Sequence, residues 1–155
     1  MELNKPVTNP MLVGAIQLLK AENTPDHSKL FTQEMLQARF LSPVIITPPP
    51  EPDETGKVHL TKDNKIQFPM LTASDGNSYF MAFTDMEELT NWSKEEKKQT
   101  FIMKFDDYAA MVLGKDSRAA GFVVNPYGGN IIITKENIAR LTAAKAAAKK
   151  EIKSS

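Results

Sequence analysis

Two turn signals, each between strand-like runs, constrain the fold of this chain more than any other feature. Asp75-Gly76 lies between Lys65–Thr72 and Ser78–Thr84, and Asn125–Asn130 (Asn-Pro-Tyr-Gly-Gly-Asn) lies between Ala120–Val124 and Ile131–Thr134. Turns of this composition join antiparallel strands. The sequence therefore predicts two β-hairpins, which a purely parallel sheet cannot accommodate.

Helix start signals alternate with these strand-like runs. A capping residue followed by proline at the first helical position opens each of the first two helices. A later signal resembles a capping box, in which Glu87 reaches back to Thr84. In chain order, the predicted caps are Asn9, Thr24, Thr84, Asp106 and Thr134.

The remaining strands are predicted from β-branched and aromatic runs. We expect Pro43 to end the second helix, Val44–Thr47 to form the first strand, and Thr100–Lys104 to form another. The 155 residues correspond to one domain. Because helices and hairpins are interleaved, we expect a single α+β domain whose mixed β-sheet packs against several short α-helices.

The segment at 48–64 consists mainly of proline, charged residues and turn formers, with Val58 and Leu60 among them. Proline cannot donate to a strand ladder, so Pro48–Asp53 is not expected to form a central strand. A loop of this length within a compact domain is either mobile or functional. We interpret it as a mobile loop and leave its role open.

The charge balance and the missing cysteines exclude several function classes. Nineteen Lys and Arg residues offset nineteen Asp and Glu residues, so no net charge favours nucleic acid or an anionic membrane. The absence of cysteine removes disulfides, thiolate metal sites and thiol catalysis. No apolar run approaches the ~20 residues that span a bilayer, and no signal-peptide pattern is present. We expect a cytoplasmic protein of bacterial type that binds neither nucleic acid nor membrane.

The patterns that carry common enzyme chemistry are also missing from the sequence. None of the seven glycines falls into a dinucleotide-binding or phosphate-binding pattern. His27 and His59 lack metal-ligand spacing and lie near no nucleophile motif. Asp106-Asp107 fits helix capping better than an acid–base pair. We therefore predict no catalytic residues, no cofactor, no metal and no enzymatic activity.

Three segments together resemble one known family. They are Ala38-Arg-Phe-Leu-Ser-Pro-Val, Phe83-Thr-Asp-Met-Glu-Glu-Leu and Gly121-Phe-Val-Val-Asn-Pro-Tyr-Gly-Gly-Asn-Ile-Ile-Ile. The pattern is similar to the N-terminal domain of the SseB (enhanced serine sensitivity) family. The resemblance implies a small domain of helices around a mixed sheet and no established catalytic residues. It covers Asn9 to Leu141, which predicts an SseB-like domain at 1–142 and an Ala/Lys-rich helix end or tail at 143–155.

A binding role is the function we predict for this domain, with another protein as the partner. Tyr and Trp are favoured interface anchors. In the Asn125–Asn130 turn, proline fixes one backbone angle and the two glycines permit positive φ angles and a tight reversal, so we expect a rigid turn at the surface with its tyrosine partly exposed at the tip. The candidate binding residues are Trp92, Asn125, Pro126, Tyr127, Gly128 and Gly129. Alternatively, Trp92 covers a core edge and Tyr127 only shields the hairpin. Two other functions stay open: a small-molecule sensor with a pocket between helices and sheet, and an enzyme built on unfamiliar residues.

Overall fold

Five helices and seven strands, interleaved along the chain, make up the described part of the protein in the computed structural model. The structure describes residues 7–48, 51–57, 59–93 and 99–154, with side chains up to residue 148. The helices are α1 (Pro10–Ala21), α2 (Pro25–Gln37), α3 (Met86–Trp92), α4 (Phe105–Leu113) and α5 (Lys135–Ser154). The strands are β1 (Phe40–Thr47), β2 (Lys65–Gln67), β3 (Met70–Thr72), β4 (Ser78–Ala82), β5 (Gln99–Met103), β6 (Gly121–Val124) and β7 (Ile131–Thr134).

The strands form two small sheets. One is antiparallel, in the order β2–β1–β5, and the other is mixed, in the order β3–β4–β6–β7, with β4 and β6 parallel. Leu41 and Phe83 connect the two sheets, because each donates its N–H to the carbonyl of the other, at 2.8 and 3.0 Å. The predicted α+β class, with hairpins and helices around a mixed sheet, is confirmed.

Both predicted hairpin turns are confirmed, but the first hairpin is shorter than expected. Asp75-Gly76 connects β3 to β4, and Asn125–Asn130 connects β6 to β7. Lys65–Gln67 belongs to the other sheet, where Ile66 pairs with Ile46 of β1. The run divides at Phe68-Pro69, where proline has no N–H for a ladder bond.

The prediction for Pro43 was wrong. Helix α2 already ends at Gln37, and Pro43 lies inside β1, opposite Thr100 of β5. The N–H of Leu41 points away from β5, towards Phe83, and strand alternation places the Pro43 nitrogen on that same side. The pairing of β1 with β2 begins only at Ile45. The missing donor of Pro43 therefore removes no hydrogen bond from the sheet.

Two of the predicted caps are confirmed. The Thr24 hydroxyl accepts from the His27 N–H at 3.1 Å, and the Thr134 hydroxyl accepts from the Asn137 N–H at 3.2 Å. In both cases a short hydroxyl side chain satisfies a backbone donor that the first helical turn leaves unpaired.

The other caps were assigned to the wrong side chains. The Asn9 amide donates to the Arg39 and Thr84 carbonyls, each at 2.7 Å, instead of capping α1. Asp85, not Thr84, caps α3, and Glu87 is exposed. At the start of α4, Asp107 accepts from the Lys104 N–H at 2.9 Å, whereas Asp106 pairs with Lys145. Asn9, Thr84 and Asp106, which the sequence assigned to helix ends, instead bind residues that are distant along the chain.

The larger apolar cluster is centred on stacked and edge-on aromatic rings. The Tyr108 ring stacks on Phe122 with centroids 4.7 Å apart, and Phe40 meets both rings edge-on. The Tyr108 hydroxyl donates to the Met81 carbonyl at 2.7 Å. Burial raises the pKa of Tyr108, so this phenol stays protonated as a donor. Helix α4 is thereby anchored to the mixed sheet.

Parts of the proline-rich segment and of the C-terminal segment make contacts within the described residues, while residues 49, 50 and 58 of the expected mobile loop lie outside them. The 48–64 segment is the connection between β1 and β2, and the Asn64 amide donates to the Pro48 carbonyl at 2.8 Å. Helix α5 continues through the Ala/Lys-rich segment to Ser154. Lys145 pairs with Asp106 at 2.9 Å and lies over the Phe105 ring, 5.6 Å from its centroid.

Candidate functional site

The Asn125–Asn130 turn is closed by its own backbone. The Gly128 and Asn130 N–H groups both donate to the Asn125 carbonyl, at 2.9 and 2.8 Å. Asn125 and Asn130 have positive φ angles of 50° and 52°. Asparagine tolerates this left-handed region better than most residues. The sequence assigned the positive φ angles to the two glycines, and the structure places them on the two flanking asparagines.

The Asn125 side chain attaches the turn to the start of α3. Its Oδ1 accepts from the Thr84 N–H at 3.0 Å, and its amide donates to the Thr84 hydroxyl at 3.0 Å. That hydroxyl donates to Asp85 Oδ2 at 2.9 Å, and Asp85 Oδ1 accepts from the Glu88 N–H at 2.9 Å. Asn125 and Thr84 are both buried. The buried network therefore ties Asn125, the first residue of the turn, to the start of α3.

Gly128 and Gly129 lie where the turn meets side chains of two helices. A Cβ on Gly128 would lie 2.6 Å from Glu88 Oε2 of α3. A Cβ on Gly129 would lie 2.6 Å from Ile16 Cγ2 of α1. Both distances are too short for real side-chain atoms. These glycines therefore permit close approach of α1 and α3, which is a different role from the predicted tight reversal.

Tyr127 lies at the tip of this turn and is 58% exposed. It belongs to neither apolar cluster, so the hypothesis that it shields the hairpin core has no support among the described contacts. Pro126 beside it is half-buried. The turn thus presents one large amphipathic side chain, and its first residue, Asn125, is held by hydrogen bonds to Thr84.

Trp92, the other predicted aromatic anchor, has a different position. It ends α3, is half-buried, and its ring lies tilted against Phe83 with centroids 6.1 Å apart. It packs against the second apolar cluster, which includes Leu41 and Leu89. This placement corresponds to the alternative in which Trp92 covers a core edge.

Of the six predicted binding residues, the structure brings together the five of the turn and gives Trp92 a separate packing role. Asn125 is buried, and its side-chain amide is hydrogen-bonded to Thr84. It therefore positions the turn and offers no surface to a partner. Sequence reasoning missed Ile16 and Glu88, which lie against the two glycines. The sequence carries no local signal for these contacts, since both residues are distant from the turn along the chain.

Glu88 has an unusual electrostatic environment. Burial is the main cause that raises the pKa of its carboxyl above the usual 4.5, and the neighbouring carboxylates of Asp85 and Glu87 add to the shift. A side-chain hydrogen bond from Asn91 acts in the opposite direction. Among the described residues, nothing donates a hydrogen bond to its buried Oε2 atom.

A second polar cluster lies in the 48–64 segment. Asp53 Oδ1 accepts from the Thr55 hydroxyl at 2.6 Å and from the N–H groups of Thr55 and Lys57, while Oδ2 pairs with His59 Nε2 at 2.7 Å. These donors favour the ionised carboxylate and lower the pKa of Asp53 to about 2. The group is exposed and all its partners lie within six residues of Asp53, so these hydrogen bonds stabilise the local conformation of this segment.

We expect the Asp53 carboxyl to titrate near pH 2 in carbon-detected NMR, well below the usual 3.8. Because the folded pKa is the lower one, the stabilising contribution is complete above about pH 3.8 and is lost as the pH falls through about 2. Thr55→Val removes the largest contributor and should move the midpoint back towards 3.8. A wild-type midpoint at 3.8 would contradict the hydrogen bonding described for this cluster.

A surface recess of about 200 Å³ lies between the start of α1 and the end of α2. It is lined by Thr8, Asn9, Pro10, Met11, Leu12, Glu34, Gln37 and Ala38. Typical ligand pockets measure roughly 300–1,000 Å³, so this recess would admit only a small molecule. It lies between two helices, whereas the sequence hypothesis placed a sensor pocket between helices and sheet.

Among the described residues, neither histidine belongs to a group of metal-ligating side chains. His27 contacts the Glu22 carbonyl through Nδ1 at 2.7 Å, and His59 pairs with Asp53. Within the described ranges, no group of three or more His, Cys, Asp or Glu side chains is arranged to hold a metal ion. In the same part of the chain, no helix combines the length and the apolar character needed to cross a membrane.

Comparison with known proteins identifies the family. The family model for the SseB protein N-terminal domain matches residues 12–140, a range that includes both sheets and the Asn125–Asn130 turn. Comparisons with curated proteins and with solved structures find no match. The match spans most of the chain and contains all three segments that carried the resemblance. The chain therefore belongs to the family of SseB N-terminal domains.

Proposed function

We propose that this domain acts in the bacterial cytoplasm as a non-enzymatic module that binds another protein through the Asn125–Asn130 turn. The observation that carries the proposal is Tyr127, a 58% exposed aromatic residue on a turn that buried Asn125 holds in place. Tyrosine is enriched among interface hot spots. A turn already fixed in one conformation loses little entropy on binding. Exposure and rigidity together favour a contact surface at this position.

The surroundings of the turn support this role. Ile16 of α1 and Glu88 of α3 lie against Gly129 and Gly128, so the backbone beside Tyr127 contacts two helices. A partner that contacts Tyr127 would also meet the exposed Gly128 and Asn130. Regulation through a protein contact needs no bound cofactor and no catalytic residue.

We expect Tyr127→Ala to leave the fold intact and to weaken the captured interaction by about 1–3 kcal/mol, the size of a hot-spot loss. The affinity would fall roughly 5-fold to 150-fold, measured by calorimetry against a partner isolated from source cells and identified by mass spectrometry. The melting temperature should change little, because Tyr127 packs in neither apolar cluster.

Ile102→Ala is the matched control. Ile102 is 56% exposed, close to the exposure of Tyr127, but lies on β5 of the other sheet. Capture should survive this substitution at full strength. Equal capture by wild type, Tyr127→Ala and Ile102→Ala would show that the Asn125–Asn130 segment is only a turn.

A small-molecule sensor is the second candidate function. It is favoured by the recess between α1 and α2, where Glu34 and Gln37 offer polar groups beside the apolar Leu12. A thermal-shift screen with small metabolites separates the two candidates. A stabilising ligand whose effect is lost in Gln37→Ala and kept in Tyr127→Ala would favour the sensor.

A further inference from the structure

The Glu88 carboxyl group packs directly on the Asn125–Asn130 turn. Its two oxygens would lie 2.6 and 2.8 Å from a Cβ placed on Gly128. The carboxyl therefore occupies the space that any side chain at position 128 would need. This contact places a titratable group of α3 directly against the turn.

One oxygen of this carboxyl is poorly suited to an ionised state. Oε2 is inaccessible to solvent, and no described residue donates a hydrogen bond to it. An ionised carboxylate can only accept hydrogen bonds, so a buried oxygen without a donor carries an uncompensated desolvation cost. A protonated carboxyl is neutral and is itself a donor. The contact with Gly128 is therefore more favourable in the protonated form.

The charged groups around Glu88 favour protonation as well. Its own helix brings Asp85 and Glu87, both acidic, and both raise the pKa of Glu88. The turn contributes Tyr127 as its only titratable side chain, and α1 meets the turn through the apolar Ile16. The single charged residue of α1, Lys20, is exposed one helical turn beyond Ile16. No described cation forms a salt bridge that would hold Glu88 ionised in this position.

We propose that protonation of Glu88 controls how the Asn125–Asn130 turn packs against α3. In the protonated form the carboxyl stays against Gly128. On ionisation, repulsion from Asp85 and the gain of hydration move the carboxylate towards solvent and away from Gly128. Asn125 remains tied to Thr84, so the change is confined to Pro126–Gly129. The inference concerns the free domain and does not depend on the proposed partner.

The test follows the Gly128 and Gly129 amide resonances by NMR between about pH 3.5 and pH 8. We expect both amides to shift with one common midpoint above pH 4.5, the usual pKa of glutamate. Glu88→Gln, which imitates the neutral carboxyl, should abolish the titration and hold both amides at their low-pH positions. Glu87→Gln removes a neighbouring exposed carboxylate and should leave a titration at Gly128, with a lower midpoint.

Two results would overturn the proposal. One is a Gly128 titration that persists in Glu88→Gln, and the other is a wild-type midpoint at or below 4.5. Direct observation of the Glu88 carboxyl carbon in the wild type covers the case in which Glu88→Gln does not fold. Its midpoint must coincide with that of the Gly128 amide, and a separation of one pH unit would also reject the coupling.

Discussion

Gly121→Ala should lower the free energy of unfolding by about 3 kcal/mol or more, since two costs add at this position. Gly121 opens β6 with a φ angle of +153°, a conformation that L side chains rarely adopt. A Cβ there would also overlap the Ile133 carbonyl oxygen and crowd Thr134 Cα at 3.1 Å. Both neighbours are backbone atoms of β7, so no rotamer change relieves the contact. The melting temperature should fall by roughly 6–12 °C for a chain of this size.

Gly14→Ala is the control for this substitution. Gly14 lies inside α1, and outside the backbone of that helix no atom lies within 4 Å of the position that an added Cβ would take. Alanine has the higher helix propensity, so this variant should gain about 0.5–1 kcal/mol. Thermal unfolding of the two variants beside the wild type therefore gives shifts of opposite sign. Equal melting temperatures for Gly121→Ala and the wild type would contradict the close approach of β6 and β7.

Asn125→Ala should cost about 2–5 kcal/mol of unfolding free energy, because two penalties add. The substitution leaves the buried Thr84 N–H without its acceptor and removes the bond to the Thr84 hydroxyl. An unsatisfied buried donor costs about 1–3 kcal/mol. Alanine also bears a penalty of about 1–2 kcal/mol at a φ angle of 50°. Chemical denaturation with urea measures the sum.

Two companion variants separate these contributions. Asn130 has nearly the same φ angle, 52°, but an exposed side chain, so Asn130→Ala should show only the backbone penalty. Asn125→Gly relieves the backbone penalty and keeps the loss of the hydrogen bonds. If Asn125→Ala and Asn130→Ala proved equally destabilised, the buried network would contribute nothing to stability.

The elements that could be predicted are those with strong local signals. Alternating apolar residues and turn formers identified both hairpin turns, and the Thr-Pro-Asp start predicted α2 with its Thr24 cap. The predictions failed where a side chain binds a residue that is distant along the chain. Asn9 binds the backbone of Arg39 and Thr84, and the residues next to α1 in the sequence give no sign of these distant partners. Pro43 likewise fits a strand only because β2 begins to pair beyond it.

In the candidate site, too, some features could be predicted from the local sequence and others could not. The turn sequence itself predicted a rigid, exposed Tyr127, because proline, glycine and asparagine restrict or permit particular backbone angles. It could not assign the reason for Gly128 and Gly129, since Glu88 and Ile16 reach them from distant helices. Nor could it separate Trp92 from the turn, because the Phe83 ring that Trp92 packs on comes from the bridge between the two sheets.

By itself, the sequence determined the α+β class, the hairpins, the family and the exposed tyrosine, since these depend on periodicity and on local backbone preference. The tertiary structure alone decided which polar side chains are buried and which glycines are in close contact with neighbouring elements. It placed Asn125 beneath the turn, Glu88 against Gly128, and Gly121 against β7. Burial and close approach are properties of pairs of residues distant along the chain, and no local pattern specifies them.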